Sequence, residues 1–464
     1  LERYHAALEA VTGAKLPPPS PSNRVTVFVV SGEREVQRLY GKGSQYIGAF
    51  YIPRAGASVA IVPRVSTGGA ATGDLDYSMI ALLHEYAHHF MISTNAFALP
   101  RWLSEGGAEF FASADFGNDG GVGLGRPAQH RAGELFFARD VTAGQLLDPE
   151  AYEKSNRGKS YDAFYGKSWL LYHYLTFGGT RDGQLARYIQ LLIAGKPSRE
   201  AGLEAFGPFD KLERELDAYL RRPRIQMIRL PASALHIAPI RIRRLGEGEA
   251  AMMPIRIRSR RGVTREQAVA LVKDAEEVGR RFPGDAAVQS ALAEAEFDAG
   301  HDVEAIAAAD RALALDRTQV NAYVQKGYAL FHQAAEGGDP AAFIRARAPF
   351  VALNRLENDH PLALAYYYES FVRAGVKPTK LAVDGLERAV QIAPFDFGLR
   401  MTLAMQQLRD GHPDWAKANL APVAYNPHGG KLAEVAQAAM ARLAADPKWD
   451  GSGAEVPGDD ADGD

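Results

Sequence analysis

Small residues recur at a fixed spacing in the second half of the chain, and this spacing constrains the fold more than any other feature. Ala293 and Gly327 stand 34 residues apart at what would be the small position of a first helix. The corresponding second-helix positions and the continuing register are held by small residues or proline: Ala382, Ala389, Pro394 and Ala404. Such a period predicts stacked helix pairs, because one pair cannot bury its apolar side without neighbours.

A 34-residue unit is the tetratricopeptide spacing, so residues 263–450 are predicted to form an all-α tetratricopeptide-like superhelix. The predicted repeats are 286–319, 320–361, 363–396 and 397–430, and the stretch AAEGGDPAAF expands the turn of the second one. Helices 265–281 and 431–445 should cap the two ends. We expect the concave face to bind a protein partner, and we expect the acidic, glycine-rich tail at 451–464 to be disordered.

The first half contains a complete HExxH motif, from His84 through Glu85 to His88. Apolar residues at helical spacing precede it and predict an amphipathic helix. Histidines four residues apart share one face of a helix, so both imidazoles can bind one metal ion. Imidazole and carboxylate ligands favour a single Zn²⁺ ion. Glu85 lies beside the pair, where it is placed to take a proton from a water activated by the metal rather than to bind the ion.

A candidate third ligand follows in LPRWLSEGGAEFF, where Glu105 stands seventeen residues after His88. Pro100 suits a helix start. Glu109 is one turn further along the same face, where its carboxylate can accept the outer N–H of a metal-binding histidine. Two carboxylates on an otherwise apolar helix indicate a site, because buried charge must be paired or bound to metal.

The HExxH motif followed by WLSEGGAEF resembles the gluzincin metallopeptidases, the clan of thermolysin and aminopeptidase N. The upstream stretch is similar to small bacterial peptidase-MA-like domains, and the resemblance covers about residues 25 to 222. It implies an α+β zincin-like (thermolysin-type) catalytic domain over residues 1–222, with a peptide or protein as substrate.

The same resemblance implies a role for each residue of the motif. By that similarity, His84, His88 and Glu105 are the zinc ligands, Glu85 is the general base, and Glu109 supports a ligand from outside. No acidic motif for binding a free amine is evident, so an endopeptidase is preferred over an aminopeptidase.

Related aminopeptidases also use a tyrosine to stabilise the oxyanion, at a helix start of the pattern Tyr-x-Lys-Gly. Tyr165 has a similar setting at the start of a predicted helix over 163–178, although Tyr-Gly-Lys-Ser departs from the pattern by one position. A phenol O–H directed at developing negative charge stabilises a transition state. Tyr161, Tyr172 and His173 are nearby alternatives, and Tyr165 could also serve only for packing.

Strands are predicted at 24–30 and within 48–63, and the strand at 50–53 or that at 58–62 could bind an extended substrate. Residues 223–262 are predicted to form a basic connector. Its two alternating runs, Pro239–Arg244 and Pro254–Arg258, read as a two-stranded β-ribbon. The arginines are interpreted as a solvated strand face and not a nucleic-acid site, because no aromatic residues lie between them.

Composition excludes several classes of function. The formal net charge of −3 over 464 residues gives no general attraction to nucleic acid. The sequence contains no run of eighteen apolar residues, so no membrane span is predicted. Cysteine is absent, which excludes disulfides and thiolate metal sites. No signal peptide is visible, yet proteins of the resembled group are commonly exported, so a periplasmic or secreted location is expected.

Two hypotheses of different class follow. One is a zinc metallopeptidase whose helical repeats recruit a protein substrate or partner. The alternative is a non-catalytic tetratricopeptide adaptor with a structural or vestigial zinc site. Glu85 separates them, because a structural site needs ligands but no general base.

Overall fold

The protein combines an N-terminal α+β region, containing two small sheets, with a long helical region. The structure is a computed structural model that describes residues 1–16, 18–41, 47–64, 76–95, 97–156, 161–426 and 429–454. The predicted order of an α+β part followed by an all-α part is confirmed at this level. Of the predicted disordered tail, residues 455–464 lie outside the described residues, and 451–454 form a turn.

The first sheet contains a buried central strand. Its strands are β1 (Thr26–Val30), β2 (Phe50–Ile52) and β3 (Val59–Pro63). The order is β1-β3-β2, with β3 parallel to β1 and antiparallel to β2. All five residues of β3 are buried, in keeping with their unbroken apolar sequence. Of the two strands considered for substrate binding, β2 is therefore the one at an edge.

Helices make up most of the N-terminal region. They are α1 (Glu2–Thr12), α2 (Glu33–Tyr40), α3 (Tyr77–Thr94), α4 (Arg101–Ala112), α5 (Ala132–Phe137), α6 (Ala143–Leu147), α7 (Pro149–Asn156), α8 (Phe164–Phe177), α9 (Gln184–Ile193), α10 (Ser198–Phe206) and α11 (Phe209–Leu220). The Asp76 carboxylate accepts the Ser78 N–H and thereby caps the start of α3. α4 begins directly after Pro100, as its sequence predicts.

Two glycines allow α4 to pack tightly between α3 and α8. A Cβ on Gly106 would lie 2.4 Å from the carbonyl oxygen of Ser168 on α8. A Cβ on Gly107 would lie 2.9 Å from the Met91 Sδ of α3. Neither approach is possible for a larger residue without movement of a neighbour. The Gly-Gly pair therefore fixes α4, which is buried from Trp102 to its end, against both helices.

The second sheet extends the N-terminal region beyond residue 222. Its strands are β4 (Asp115–Phe116), β5 (Val122–Leu124) and β6 (Ile228–Leu230), all antiparallel, with β5 in the centre. Because β6 pairs with β5, the predicted boundary at 222 separates residues that belong to one sheet.

The second half is helical. Its helices are α12 (Glu247–Arg261), α13 (Arg265–Arg281), α14 (Ala286–Asp298), α15 (Asp302–Leu315), α16 (Val320–Glu336), α17 (Pro340–Ala346), α18 (Ala348–Leu356), α19 (Pro361–Arg373), α20 (Lys380–Ile392), α21 (Phe397–Arg409), α22 (Pro413–Ala424) and α23 (Lys431–Ala445). The predicted repeats correspond to helix pairs, and the expanded second repeat contains the extra helix α17. A Cβ on Gly327 would lie 2.4 Å from the Phe350 ring, which explains the small residue there. Among the described residues, no helix combines the length and apolarity needed to cross a membrane.

The predicted β-ribbon in the connector is wrong. Pro254–Arg258 lies inside α12, and residues 239–244 form no strand, with Ile240 and Ile242 77% and 95% exposed. A five-residue alternation fits a strand, but the buried residues Met252, Ile255 and Ser259 follow helical spacing. The helical region consequently begins at residue 247, and α12 packs on α13 and α14, so 265–281 is not its first helix.

Helix α3 packs against the repeat region through His89 and Ile92. The rings of His89 and Phe395 lie 4.6 Å apart, and Phe395 shares an apolar cluster with Ala55 and Ile92. Beside this cluster the Asp396 carboxylate accepts the Ala55 N–H at 2.9 Å. The helix that carries the HExxH motif therefore contacts the repeats directly.

Candidate metal centre

His84, His88 and Glu105 converge at one point between α3 and α4. The two histidines lie one turn apart on α3, and their Nε2 atoms are 3.0 Å apart. The Glu105 Oε2 atom lies 3.4 Å from Nε2 of His84 and 3.3 Å from Nε2 of His88. The three side chains predicted as metal ligands are thus brought together by the packing of the two helices.

The three atoms have the separations that a zinc ion requires. Tetrahedral zinc with bonds of roughly 2.0–2.1 Å has ligand atoms about 3.3–3.4 Å apart. The measured edges of 3.0, 3.3 and 3.4 Å approach this value. Three such atoms form one face of a tetrahedron and leave the fourth position for water or substrate.

The Glu105 carboxylate provides an independent test of this fit. Its side chain is 0% exposed, and apart from the contacts of 3.4 and 3.3 Å with the two histidine nitrogens neither carboxylate oxygen has a hydrogen-bond partner. An ionised carboxylate left buried without hydrogen bonds is costly unless it is paired or binds a metal. The donor set therefore fits a divalent cation, with His84, His88 and Glu105 as the residues that would hold it.

A second layer of contacts orients the two histidines. The Glu109 Oε1 atom lies 3.2 Å from Nδ1 of His84, on the opposite side of the ring from the centre. Ser104 Oγ lies 3.1 Å from Nδ1 of His88. A partner on the outer nitrogen fixes the tautomer that presents Nε2 to a metal. Glu109 thus lies where the sequence predicts it, and Ser104 is an additional partner.

Glu109 is itself held by two residues that the sequence analysis does not single out. His130 Nε2 lies 2.6 Å from Oε2 of Glu109, and the Arg131 guanidinium donates to Oε1 through two nitrogens. His130 lies 21 residues from Glu109 in the sequence and has no metal-ligand spacing of its own, so the sequence favours an ordinary polar or core histidine there. No local pattern connects these residues, since the β4–β5 segment brings them together.

Electrostatic coupling within the centre is strong. Burial lowers the pKa of His84, but the Glu105 and Glu109 carboxylates outweigh it and raise the value to about 10. Burial likewise opposes ionisation of Glu105, but both histidines hold its pKa well below the ordinary value. The pKa of Glu109 is also held low, against burial, by His130, His84 and Arg131. The carboxylates are therefore ionised, and the centre attracts a proton or a metal cation.

Glu85 and Tyr165 lie on different helices and have different neighbours. Glu85 is half-buried on α3, between the two histidines in the sequence and near the Tyr51 hydroxyl, whose pKa it contributes to raising. Tyr165 is half-buried on the first turn of α8, with Arg131 4.7 Å from its ring. Burial and the Glu105 carboxylate raise the pKa of Tyr165. The phenol is therefore neutral at physiological pH and able to donate its O–H.

The alternatives to Tyr165 lie in other surroundings. Tyr161 is exposed, and Tyr172 packs between the rings of Phe110 and Phe111. His173 is buried and bonds to the Tyr219 hydroxyl and the Gly125 carbonyl, as expected of a core histidine. Tyr165 lies close enough to Glu105 for that carboxylate to contribute to raising its pKa.

A second group with ligand-type side chains lies in the repeat region. It consists of Asp302, His332 and Glu336. There the His332 Nδ1 atom already lies 2.6 Å from Asp302, and Glu336 is exposed. Oδ1 of Asp302 is buried without a hydrogen-bond partner, as the Glu105 oxygens are, but only Asp302 of these three residues is buried, whereas His84, His88 and Glu105 are all buried.

Residues 79–198 match a family described as a protein of unknown function (DUF1570). No curated protein matches the chain. Two solved structures show a distant likeness. One, "MamA RS-1 ArsTM double mutant", has 14% identity, covers 42% of this chain and 97% of its own, and has a TM-score of 0.31. The other, "Crystal structure of MamA", has 16% identity, covers 43% of this chain and 99% of its own, and has a TM-score of 0.29. The span similar to the DUF1570 family contains the whole candidate metal centre.

Proposed function

We propose that this protein is a zinc-dependent peptide hydrolase with a thermolysin-type catalytic domain. The observation that carries the proposal is the Glu105 carboxylate, which is buried without a hydrogen bond and faces two histidine nitrogens. Zinc is the ion because two imidazoles and one carboxylate in a tetrahedral arrangement are its usual catalytic ligands.

When bound, zinc supplies Lewis acidity that activates water and polarises a carbonyl group. Glu85 accepts the proton of the attacking water and returns it to the leaving amine nitrogen. Tyr165 donates its O–H to the carbonyl oxygen as that atom gains negative charge. Glu109 and Ser104 hold the two imidazoles in the required orientation.

Substrate binding is assigned to two surfaces. The edge strand β2 packs beside α3 and has one side free of strand partners among the described residues, so an extended peptide can add to it. The repeats recruit a protein substrate or partner. Because the repeats contact α3 through Phe395, the two surfaces have a fixed position relative to each other.

The test compares wild-type protein with Glu85→Gln on a diverse peptide library, with cleavage mapped by mass spectrometry and zinc measured in each sample. Glu85→Gln should retain zinc and lose turnover by a factor of at least about 10³. Glu105→Ala should lose most of its zinc, whereas Glu204→Ala, on the distant and exposed end of α10, should keep both zinc and activity.

The outcomes separate the two hypotheses. Turnover that survives in Glu85→Gln would reject the assigned base. A wild-type protein that holds one zinc per chain but cleaves nothing in the library would favour the adaptor with a structural or vestigial site. Full zinc retention in Glu105→Ala would mean that the third ligand is a different residue.

A further inference from the structure

Arg101 is a charged side chain beside the metal centre that the mechanism above does not use. It is the first residue of α4 and lies four residues before Glu105, so the two side chains share one face of the helix. Along the helix axis, the backbones of Arg101 and Glu105 are about 6 Å apart. Arg101 is therefore close enough to the centre to touch a substrate bound there.

Aromatic rings hold the Arg101 guanidinium in place. Its central carbon lies 4.4 Å from the centroid of the Phe164 ring and 5.8 Å from those of Tyr152 and Tyr165. A planar guanidinium stacks favourably on such rings. The side chain is half-buried in this setting, so its charge is partly removed from water.

The guanidinium has no carboxylate partner within the part of the chain that the structure describes. Its Nε atom is buried without any hydrogen-bond acceptor. Arg131, on the other side of the Tyr165 ring, is fully paired with Glu109 and Glu134. The nearest carboxylate along α4 is Glu105, and it faces the two histidines. Arg131 is therefore paired with two carboxylates, whereas Arg101 hydrogen-bonds with the Tyr165 hydroxyl and interacts with the Glu105 charge without forming an ion pair.

A metal ion at the centre increases this imbalance. The negative charge of Glu105 is then shared with a divalent cation, and Arg101 is left as an uncompensated positive charge in a partly desolvated position. Cations in such positions select anionic ligands, and arginine in particular binds carboxylates through two parallel hydrogen bonds.

We propose that Arg101 binds a carboxylate of the substrate, so that the enzyme prefers peptides with a carboxylate close to the scissile bond. An extended residue spans roughly 3.3–3.6 Å, so this group lies within about two residues of the carbonyl at the centre. The carboxylate is either a free C-terminus or an Asp or Glu side chain. This inference rests on the proposed peptidase function.

The experiment measures kcat and KM for N-acetylated peptides in matched pairs. One arm compares a neutral peptide as the free acid with the same peptide as the amide. The other arm keeps the C-terminus amidated and compares Asp or Glu with Asn or Gln at each position near the cut. Wild-type protein should prefer the charged member in one arm, and that arm identifies the source of the carboxylate.

Arg101→Gln should reduce this preference by roughly ten- to hundredfold, mainly through KM. Arg101→Lys keeps the charge without the planar fork and should give an intermediate ratio. Arg187→Gln, which removes an equal charge from exposed α9, is the matched control and should leave the ratio at its wild-type value. Zinc content shows whether each variant has kept its centre.

A binding measurement separates the two proposals. Calorimetry with zinc-loaded Glu85→Gln measures binding of the acid and the amide without turnover, with and without Arg101→Gln. If the peptides are cleaved but the acid-to-amide ratio is the same in the wild type and in Arg101→Gln, the carboxylate site is overturned and the hydrolase stands. Arg101-dependent binding without cleavage would overturn the hydrolase and leave the carboxylate site standing. Absence of both would overturn both.

Discussion

Buried histidines in this protein exist in two opposite electrostatic states, and the difference comes from their immediate neighbours. His84 faces two carboxylates, which raise its pKa to about 10. His173 is also buried, but its partners are a neutral phenol and a carbonyl oxygen, and burial lowers its pKa to about 4. The same side chain therefore forms part of a charged centre in one place and of a neutral core in another.

The lowered pKa of His173 predicts a loss of stability in mild acid. Between its unfolded pKa of about 6.5 and its folded value of about 4, only the unfolded chain binds this proton. The free energy of unfolding should therefore fall as the pH decreases through this range, by roughly 3.4 kcal/mol in total from this residue, of which about 2 kcal/mol is reached at pH 5. Urea unfolding at pH 7.5, 6 and 5 measures the effect.

His173→Gln should flatten the decrease by this amount. The exposed His236→Gln should leave the pH dependence as in the wild type. An unchanged slope in His173→Gln would show that the imidazole is protonated in the native state.

At the scale of elements, the centre depends on the distance between α3 and α4. Each helix alone carries an incomplete set of ligands, and the set closes only because Gly106 and Gly107 let α4 approach its neighbours. The WLSEGG sequence thus has two parts with different roles. Glu105 supplies the ligand atom, and the glycines that follow set its position.

Gly106→Ala should test this dependence. The added methyl group meets the Ser168 carbonyl at 2.4 Å, and backbone cannot move as easily as a side chain. We expect a loss of about 1–3 kcal/mol in the free energy of unfolding together with weaker zinc binding. Thermal unfolding and a zinc competition titration measure the two effects.

Gly385→Ala provides the comparison within α20. There the nearest atom to an added Cβ is 3.8 Å away, so the better helix propensity of alanine should leave stability unchanged or slightly increased. Equal behaviour of the two variants would mean that α4 has room that the structure does not show.

At the scale of the whole molecule, the N-terminal and repeat regions share an apolar contact beside α3. Phe395 is buried against His89, Ala55 and Ile92, which belong to the N-terminal region. Hydrogen bonds flank this contact, from Asn23 to the Ile392 carbonyl and from Ser22 to Glu357. The two regions are therefore expected to unfold together and not as independent domains.

Phe395→Ala should uncouple them. Loss of a buried phenylalanine costs about 3 kcal/mol, and here the loss falls on the contact between the two regions. Calorimetry should show one transition for the wild type and two for the variant. Trp415→Ala, at an exposed aromatic residue of the repeats, should retain one transition. Two transitions already in the wild type would contradict the coupling.

The sequence predicts those features that depend on local spacing. One helical turn separates His84 from His88, and another separates Glu105 from Glu109. The repeats follow from a constant period. Residue positions alone therefore predict both the two pairs and the repeats. The partners of Glu109 are different, because His130 and Arg131 reach it only through the folding of the β4–β5 segment. The order of the strands, which makes β2 the edge, is likewise a tertiary property. The connector prediction fails for a third reason, since five alternating residues match a strand while the longer helix around them buries Met252, Ile255 and Ser259 at helical spacing.

The contact between Gly106 and the Ser168 backbone has a consequence for how this protein can change. Where two helices are separated by side chains, every core substitution alters their spacing and moves whatever they carry. Between α4 and α8 main chain lies against main chain at Gly106, so the spacing of these two helices depends little on the side chains around the contact. Substitutions along α8 should therefore leave Glu105 in place, whereas substitutions of Met91 on α3 should move Glu105 relative to the two histidines.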